Sequence, residues 1–213
     1  MLAPTDVTQL LNRAKTMLVG VADPMLRTEL FDVLSEFFND SSSWTELITL
    51  NVNSTTTRYL LTPTEGQIIR LESVLDGNLS RVPALMADVG TLILAHAPNA
   101  TTQYFVTVTK NVCLPNTKDM TPIGPDWVLP LWHVGILDGL LGKLMNQLAK
   151  PYSNTEKAAY HLKRFRDAIA RARVSKQRAN TRGTQAWRFP GGWNSHSQQS
   201  GVPSFGSNGE RTF

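Results

Sequence analysis

Cysteine is almost absent from this sequence. Cys113 stands alone in 213 residues, so no disulfide can close within the chain and a cysteine-rich zinc site is excluded. Charge is also sparse, at 18% of residues against about a quarter in an ordinary globular protein. With 41% hydrophobic residues, the chain has enough apolar content for a core and is not a charged disordered polymer. Long hydrophobic runs are missing. The most apolar stretch, residues 127–148, is interrupted by Pro130, His133, Asp138, Lys143, Asn146 and Gln147, which argues against a membrane span. The first 21 residues lack a basic start followed by an apolar core, so no signal peptide is expected. Four Asn-x-Ser/Thr triplets, beginning at Asn39, Asn53, Asn78 and Asn99, then read as chance, and the chain is expected to fold in a reducing cytoplasm. The length suits one domain of ordinary size, or one domain with appendages.

Chemical signatures are equally thin. The sequence has no glycine-rich phosphate loop ending in Lys-Ser/Thr, no His-Glu-x-x-His and no Gly-x-Ser-x-Gly. His96, His133, His161 and His196 are scattered, and no two are spaced to share a metal on one helix. Acidic residues occur singly, and Cys113, between Val112 and Leu114, reads as a small core residue. No enzyme activity, cofactor or metal is expected.

What is present is a strong charge asymmetry. Residues 1–154 carry 10 basic and 14 acidic residues, a net of −4. Residues 155–182 carry 9 basic and 2 acidic, a net of +7. A basic segment of this kind suits nucleic acid or another polyanion. It equally suits a solvated helix face, or a face that meets an acidic neighbour.

Apolar spacing predicts a short helix over 5–18 and a second from Asp23-Pro24, with Asp23 as the cap and Leu26, Leu30, Val33, Leu34, Phe37 and Phe38 as its stripe. The Asn/Asp/Ser cluster at 39–43 ends it. Short β-branched segments follow at 47–52 and 57–61, with 53–56 expected as a hairpin turn, then 67–75, 91–95 and 103–110. Residues 47–112 thus read as a small antiparallel β unit, and 114–125 as a linker. A helix over 127–148, capped by Asp126, carries Gly135, Gly139 and Gly142 on one face. Each glycine costs a helix about 1 kcal/mol against alanine, so three on one face imply close approach of another helix. A capping box at Ser153 and Glu156 opens the last helix, which runs to about 180. Its narrow apolar stripe is Ala158, Leu162, Phe165, Ile169 and Ala172, and most of its remaining surface is basic.

Residues 183–213 differ in composition. Six glycines, five serines and two prolines cannot build a core, yet the segment contains Trp187, Phe189, Trp193, Phe205 and Phe213. It reads as an extended arm whose rings dock on another surface. The expected architecture is α+β: an antiparallel helical bundle from 1–46 and 113–182, an inserted β unit at 47–112, and the C-terminal arm.

The ordered pattern Ala22-Asp23-Pro24, Leu26-Arg27, Glu29-Leu30, Glu36-Phe37-Phe38 and Ser43-Trp44, followed by β segments, resembles the opening of the head-to-tail adaptor proteins of short-tailed bacteriophages, also called tail tubular or gatekeeper proteins. The second half is similar too. Pro125-Asp126-Trp127 opens a glycine-bearing helix that closes with Ala149-Lys150-Pro151-Tyr152-Ser153. His161, Arg164-Phe165, Ala168-Ile169-Ala170 and Ala172 come next, and then Gln185-Ala186-Trp187-Arg188-Phe189-Pro190. The resemblance spans most of residues 22–190; the β region matches only in kind, and the segment after Pro190 matches nothing in the pattern.

The resemblance implies a structural virion protein at the head–tail junction, assembled in the host cytoplasm and without catalysis. Its copies would form a ring, typically twelve-fold, beneath the portal protein. The ring would extend the DNA channel without sequence-specific binding, meet a tail or nozzle protein on its β side, and reach the portal or adjacent subunits through the arm. No membrane partner is implied. Head-to-tail contacts close into rings when the rotation closes, and a −4 body with a +7 helix offers complementary surfaces to its own copies. Tight phosphate binding would hinder passing DNA, which favours protein contacts for Lys163, Arg164, Arg166, Arg171, Arg173, Lys176 and Arg178. Another phage neck or tail-completion connector, and a nucleic-acid-binding protein using helix 155–182, remain the alternatives.

Overall fold

The computed structural model describes residues 2–114 and 122–180. The aromatic arm expected at 183–213 lies outside the described residues, as does most of the linker.

The fold is α+β. Among the described residues four helices, α1 (Pro4–Met17), α2 (Asp23–Ser41), α3 (Val128–Met145) and α4 (Thr155–Asn180), enclose one apolar core. Six strands lie between α2 and α3: β1 (Thr45–Val52), β2 (Arg58–Leu60), β3 (Gln67–Leu75), β4 (Ala84–Asp88), β5 (Thr91–Leu94) and β6 (Thr102–Asn111). They form two antiparallel three-stranded sheets, ordered β1-β6-β3 and β2-β5-β4, around a second core. The described residues up to Lys176 belong to one compact unit.

The helical core follows from the stripe on α2, where Leu26, Leu30, Val33, Leu34, Phe37 and Phe38 are all fully buried. α3 packs against it and is apolar on nearly every side, as a helix enclosed by neighbours should be. Among the described helices it alone is long and apolar enough to cross a membrane, with mean hydropathy 1.3, but 67% of that window is buried inside the protein.

Several local expectations are corrected. Asp23 does not cap α2; Ala22 occupies that position, and the Asp23 carboxylate pairs with Lys15 at 2.6 Å. Asp126 does not cap α3 either. Trp127 is already helical there, with its ring edge-on to Phe38. α3 stops at Met145, three residues short of the expected end, and Leu148 is 79% exposed. The cap of α4 is Asn154, whose Oδ1 accepts the Lys157 amide at 2.9 Å, one residue after the expected Ser153. Asn caps as well as Ser does, and only the geometry separates adjacent candidates.

The larger correction concerns residues 53–56, which are not a hairpin turn. β1 pairs with β6 and β2 with β5, so this connection carries the chain from one sheet to the other. The Tyr59 hydroxyl accepts the Asn53 amide at 3.0 Å and donates to the Thr56 carbonyl at 2.7 Å, which pins the corner. β4 was missed altogether. It is a five-residue strand with a register shift between Met86 and Asp88, too short and irregular to show clear alternation.

Trp44, just before β1, belongs to the helical core, with its ring against Phe38. The Lys110 ammonium lies 4.4 Å from the Trp44 ring centre and 2.8 Å from Glu46. Gly66, at φ +74°, closes over the same ring: a Cβ there would lie 2.5 Å from Trp44 Cη2 and 2.6 Å from the Asn111 carbonyl. Gly66→Ala is therefore expected to cost about 2–4 kcal/mol, through backbone strain and overpacking together. Denaturant unfolding at neutral pH measures it.

Candidate interaction site on the basic helix

α4 is held to the body along one stripe. Ala158, Phe165, Ala168, Ile169 and Ala172 are buried, while Leu162 is only half-buried. The stripe meets the glycine face of α3. A Cβ at Gly135 would collide with that of Ala168. One at Gly139 would come within 2.8 Å of Val33 Cγ1 and 2.9 Å of Phe165 Cδ2, and one at Gly142 within 2.8 Å of Leu162 Cγ. The glycines therefore lie where α4 runs against α3, with α2 touching the same point through Val33.

Within that apolar contact sits a polar clamp. Asp138 projects from α3 between Gly135 and Gly142 and is 5% exposed. Its Oδ1 lies 2.8 Å from His161 Nδ1, and its Oδ2 accepts from Arg164 Nε at 3.1 Å. Both oxygens of a buried carboxylate are thus used, as burial demands. A shallow groove of about 230 Å³ lies alongside, lined by Leu131, Trp132, Asp138, Arg164, Asp167 and Arg171 among others.

Two more cations of α4 turn inward. Arg173 donates through Nε to the Asp40 carbonyl at 3.0 Å, satisfying an orphan carbonyl at the end of α2. Lys176 reaches Glu72 at 3.0 Å, and that carboxylate also accepts from the Thr109 hydroxyl at 2.5 Å. Of the seven basic residues expected to form an interface, Arg164, Arg173 and Lys176 are engaged within the chain. Lys163, Arg166 and Arg171 are exposed and make no ion pair with another described residue. Arg178 is exposed and has an interaction of its own. Trp187, Phe189, Trp193, Phe205 and Phe213 lie outside the described residues.

Asp138 and His161 are what sequence reasoning missed. Asp138 was noted only as an interruption of an apolar run, and His161 as one of four scattered histidines and as part of the resemblance pattern, without a partner. The available signal was an acid inside the glycine stripe, together with His161 and Arg164 three residues apart on the facing helix. Among the described residues, no group of three or more His, Cys, Asp or Glu side chains could hold a metal ion.

Two carboxylates tie acid sensitivity to this architecture. Burial alone would raise Glu46, but hydrogen bonds from Lys110 and Thr64 outweigh it and hold its pKa below the usual 4.5. Glu72 is lowered in the same way, against burial, by Thr109 and Lys176. A carboxylate whose folded pKa is depressed contributes stability above its unfolded pKa and loses it as pH falls through the folded value. Stability is therefore expected to drop below about pH 4.5, and Glu46→Gln with Glu72→Gln to flatten that dependence. Urea midpoints between pH 7 and 3 test it; an unchanged slope in the double variant refutes it.

No protein-family model matches the chain, and no curated protein matches it.

Proposed function

We propose that this is a structural virion protein of a bacteriophage neck, a connector of the head-to-tail adaptor type whose copies join in a closed ring between portal and tail. The observation that carries the reading is on α4. Lys163, Arg166 and Arg171 project outward without an acidic partner among the described residues, while residues 1–154 carry a net charge of −4. Such a surface finds its complement on a second copy, and head-to-tail repetition of one such contact closes a ring. The Gly/Asp138 contact supports this role, because a helix clamped to the body can present its cations in a fixed geometry. In this proposal the genome passes through the ring without sequence-specific contacts, the portal lies above, and a tail or nozzle protein lies below. The arm at 183–213 anchors the subunit, and no catalysis, cofactor or membrane takes part.

The test is the mass of the purified full-length protein by light scattering, with class averages of the particle. A ring is expected, and Lys163→Gln, Arg166→Gln and Arg171→Gln together are expected to shift most of it to smaller species. A monomer that binds duplex DNA with steep salt dependence overturns the proposal in favour of nucleic-acid binding through α4.

A further inference from the structure

The two sheets have four edge strands, and three are visibly protected against further pairing. β2 is three residues long and carries Arg58. β4 has a register shift and ends at Asp88, which pairs with Arg58 at 3.7 Å. β3 has two register shifts and carries Arg70 and Glu72. Short length, bulges and charge are the devices that keep sheet edges from adding strands.

β1 has none of them. Its eight residues pair with β6 in unbroken register from Thr45↔Thr109 to Val52↔Thr102. It contains no proline or glycine, and its one charged residue, Glu46, is held by Lys110 and Thr64. No backbone hydrogen bond is made on its other side by any described residue. Thr45, Leu47, Thr49 and Asn51 form an uncharged exposed row along it, with Leu47 61% exposed. A long, flat and undefended edge with an exposed leucine is a template for an added strand.

This same chain carries a sequence suited to that role. Beyond α4 lie residues 181–213, a length that spans on the order of 110 Å when extended and so reaches a neighbouring copy. Within it, residues 184–189 form a stretch free of glycine, proline and serine, bounded by Gly183 and Pro190. In a strand, Trp187 and Phe189 share one face and Arg188 takes the other. Laid along β1 with the rings on the side of Leu47, this segment covers the exposed leucine and turns Arg188 to the side that carries Glu46.

We propose that residues 184–189 of one copy add as a strand to the β1 edge of an adjacent copy. The proposal rests on the multi-copy assembly above and assigns the arm to a neighbouring subunit. The rival occupant, β1 of a second copy, would pair about a two-fold axis and yield dimers.

The test places a photo-crosslinking amino acid at Gln185 of the full-length protein and mixes it with isotope-labelled chains that lack the probe. Mass spectrometry then maps the attachment. Adducts concentrated on residues 45–52 of the labelled chain are expected. Leu47→Lys with Thr49→Lys in that chain is expected to lower their yield at least tenfold while the thermal melt is retained. Attachment elsewhere, absence of adducts, or unchanged yield in the lysine variant overturns the proposal. The mass of the mixed assembly is read in the same sample. A ring without β1 adducts sinks the arm assignment alone, and a monomer without adducts sinks the ring reading with it.

Discussion

Replacing Gly139 with leucine is expected to destabilise the protein by at least about 3 kcal/mol, although leucine is the better helix former by about 1 kcal/mol. The single Cβ already falls within 3.0 Å of side chains on two different helices, Val33 on α2 and Phe165 on α4. Both neighbours are fully buried, so neither can swing into solvent to make room. Leucine adds three more carbons at the same point. In a thermal melt this corresponds to a fall in Tm of roughly 6–12 °C. Gly77→Ala is the internal control. There the nearest atoms to a new Cβ are at 3.6 Å, ordinary contact distance, and the change should stay within about 1 kcal/mol. A Gly139→Leu variant as stable as the parent would mean that α4 does not pack on α3 through this face.

The second large effect is expected at Asp138. Asp138→Ala should lower the unfolding free energy by about 2–4 kcal/mol, because it strands the mostly buried His161 beside the apolar contact and leaves a void under α4. Arg164→Gln should cost far less. Its side chain is 44% exposed, so water replaces the lost partner, and Asp138 retains His161. The ordering of these two variants separates a buried clamp from a surface ion pair. In urea, a lower midpoint at unchanged m-value is the expected signature of Asp138→Ala. A midpoint equal to that of the parent refutes the clamp.

Much of the fold was legible because it depends on local pattern. The stripe of α2, the glycine spacing on α3 and the alternation in β6 each repeat over two or more turns or pairs. The boundaries of α2 and α4 came within a few residues for the same reason. Strand pairing was not legible. The short interval at 53–56 looked like a hairpin, but strands adjacent in sequence entered different sheets, since the ten-residue β6 is the central strand of its sheet and β1 and β3 both pair with it. Cap identity was also ambiguous, with Ser153 and Asn154 side by side and comparably good as caps.

The candidate site divides in the same way. The sequence by itself determined that positive charge is concentrated in 155–182, that three glycines share a face of α3, and that aromatic residues crowd the C-terminal segment, because these are counts and spacings along one chain. Which cations remain outward was decided only by the tertiary structure. Lys163 and Arg164 are neighbours on one helix, yet Arg164 meets Asp138 while Lys163 faces water. Arg171 and Arg173 are two residues apart, and only Arg173 reaches the end of α2. An acidic partner more than twenty residues away cannot be read from helical periodicity. It exists only once α4 has come down on the glycine face, where the missing side chains bring the helices close enough for His161 and Arg164 to reach a buried carboxylate.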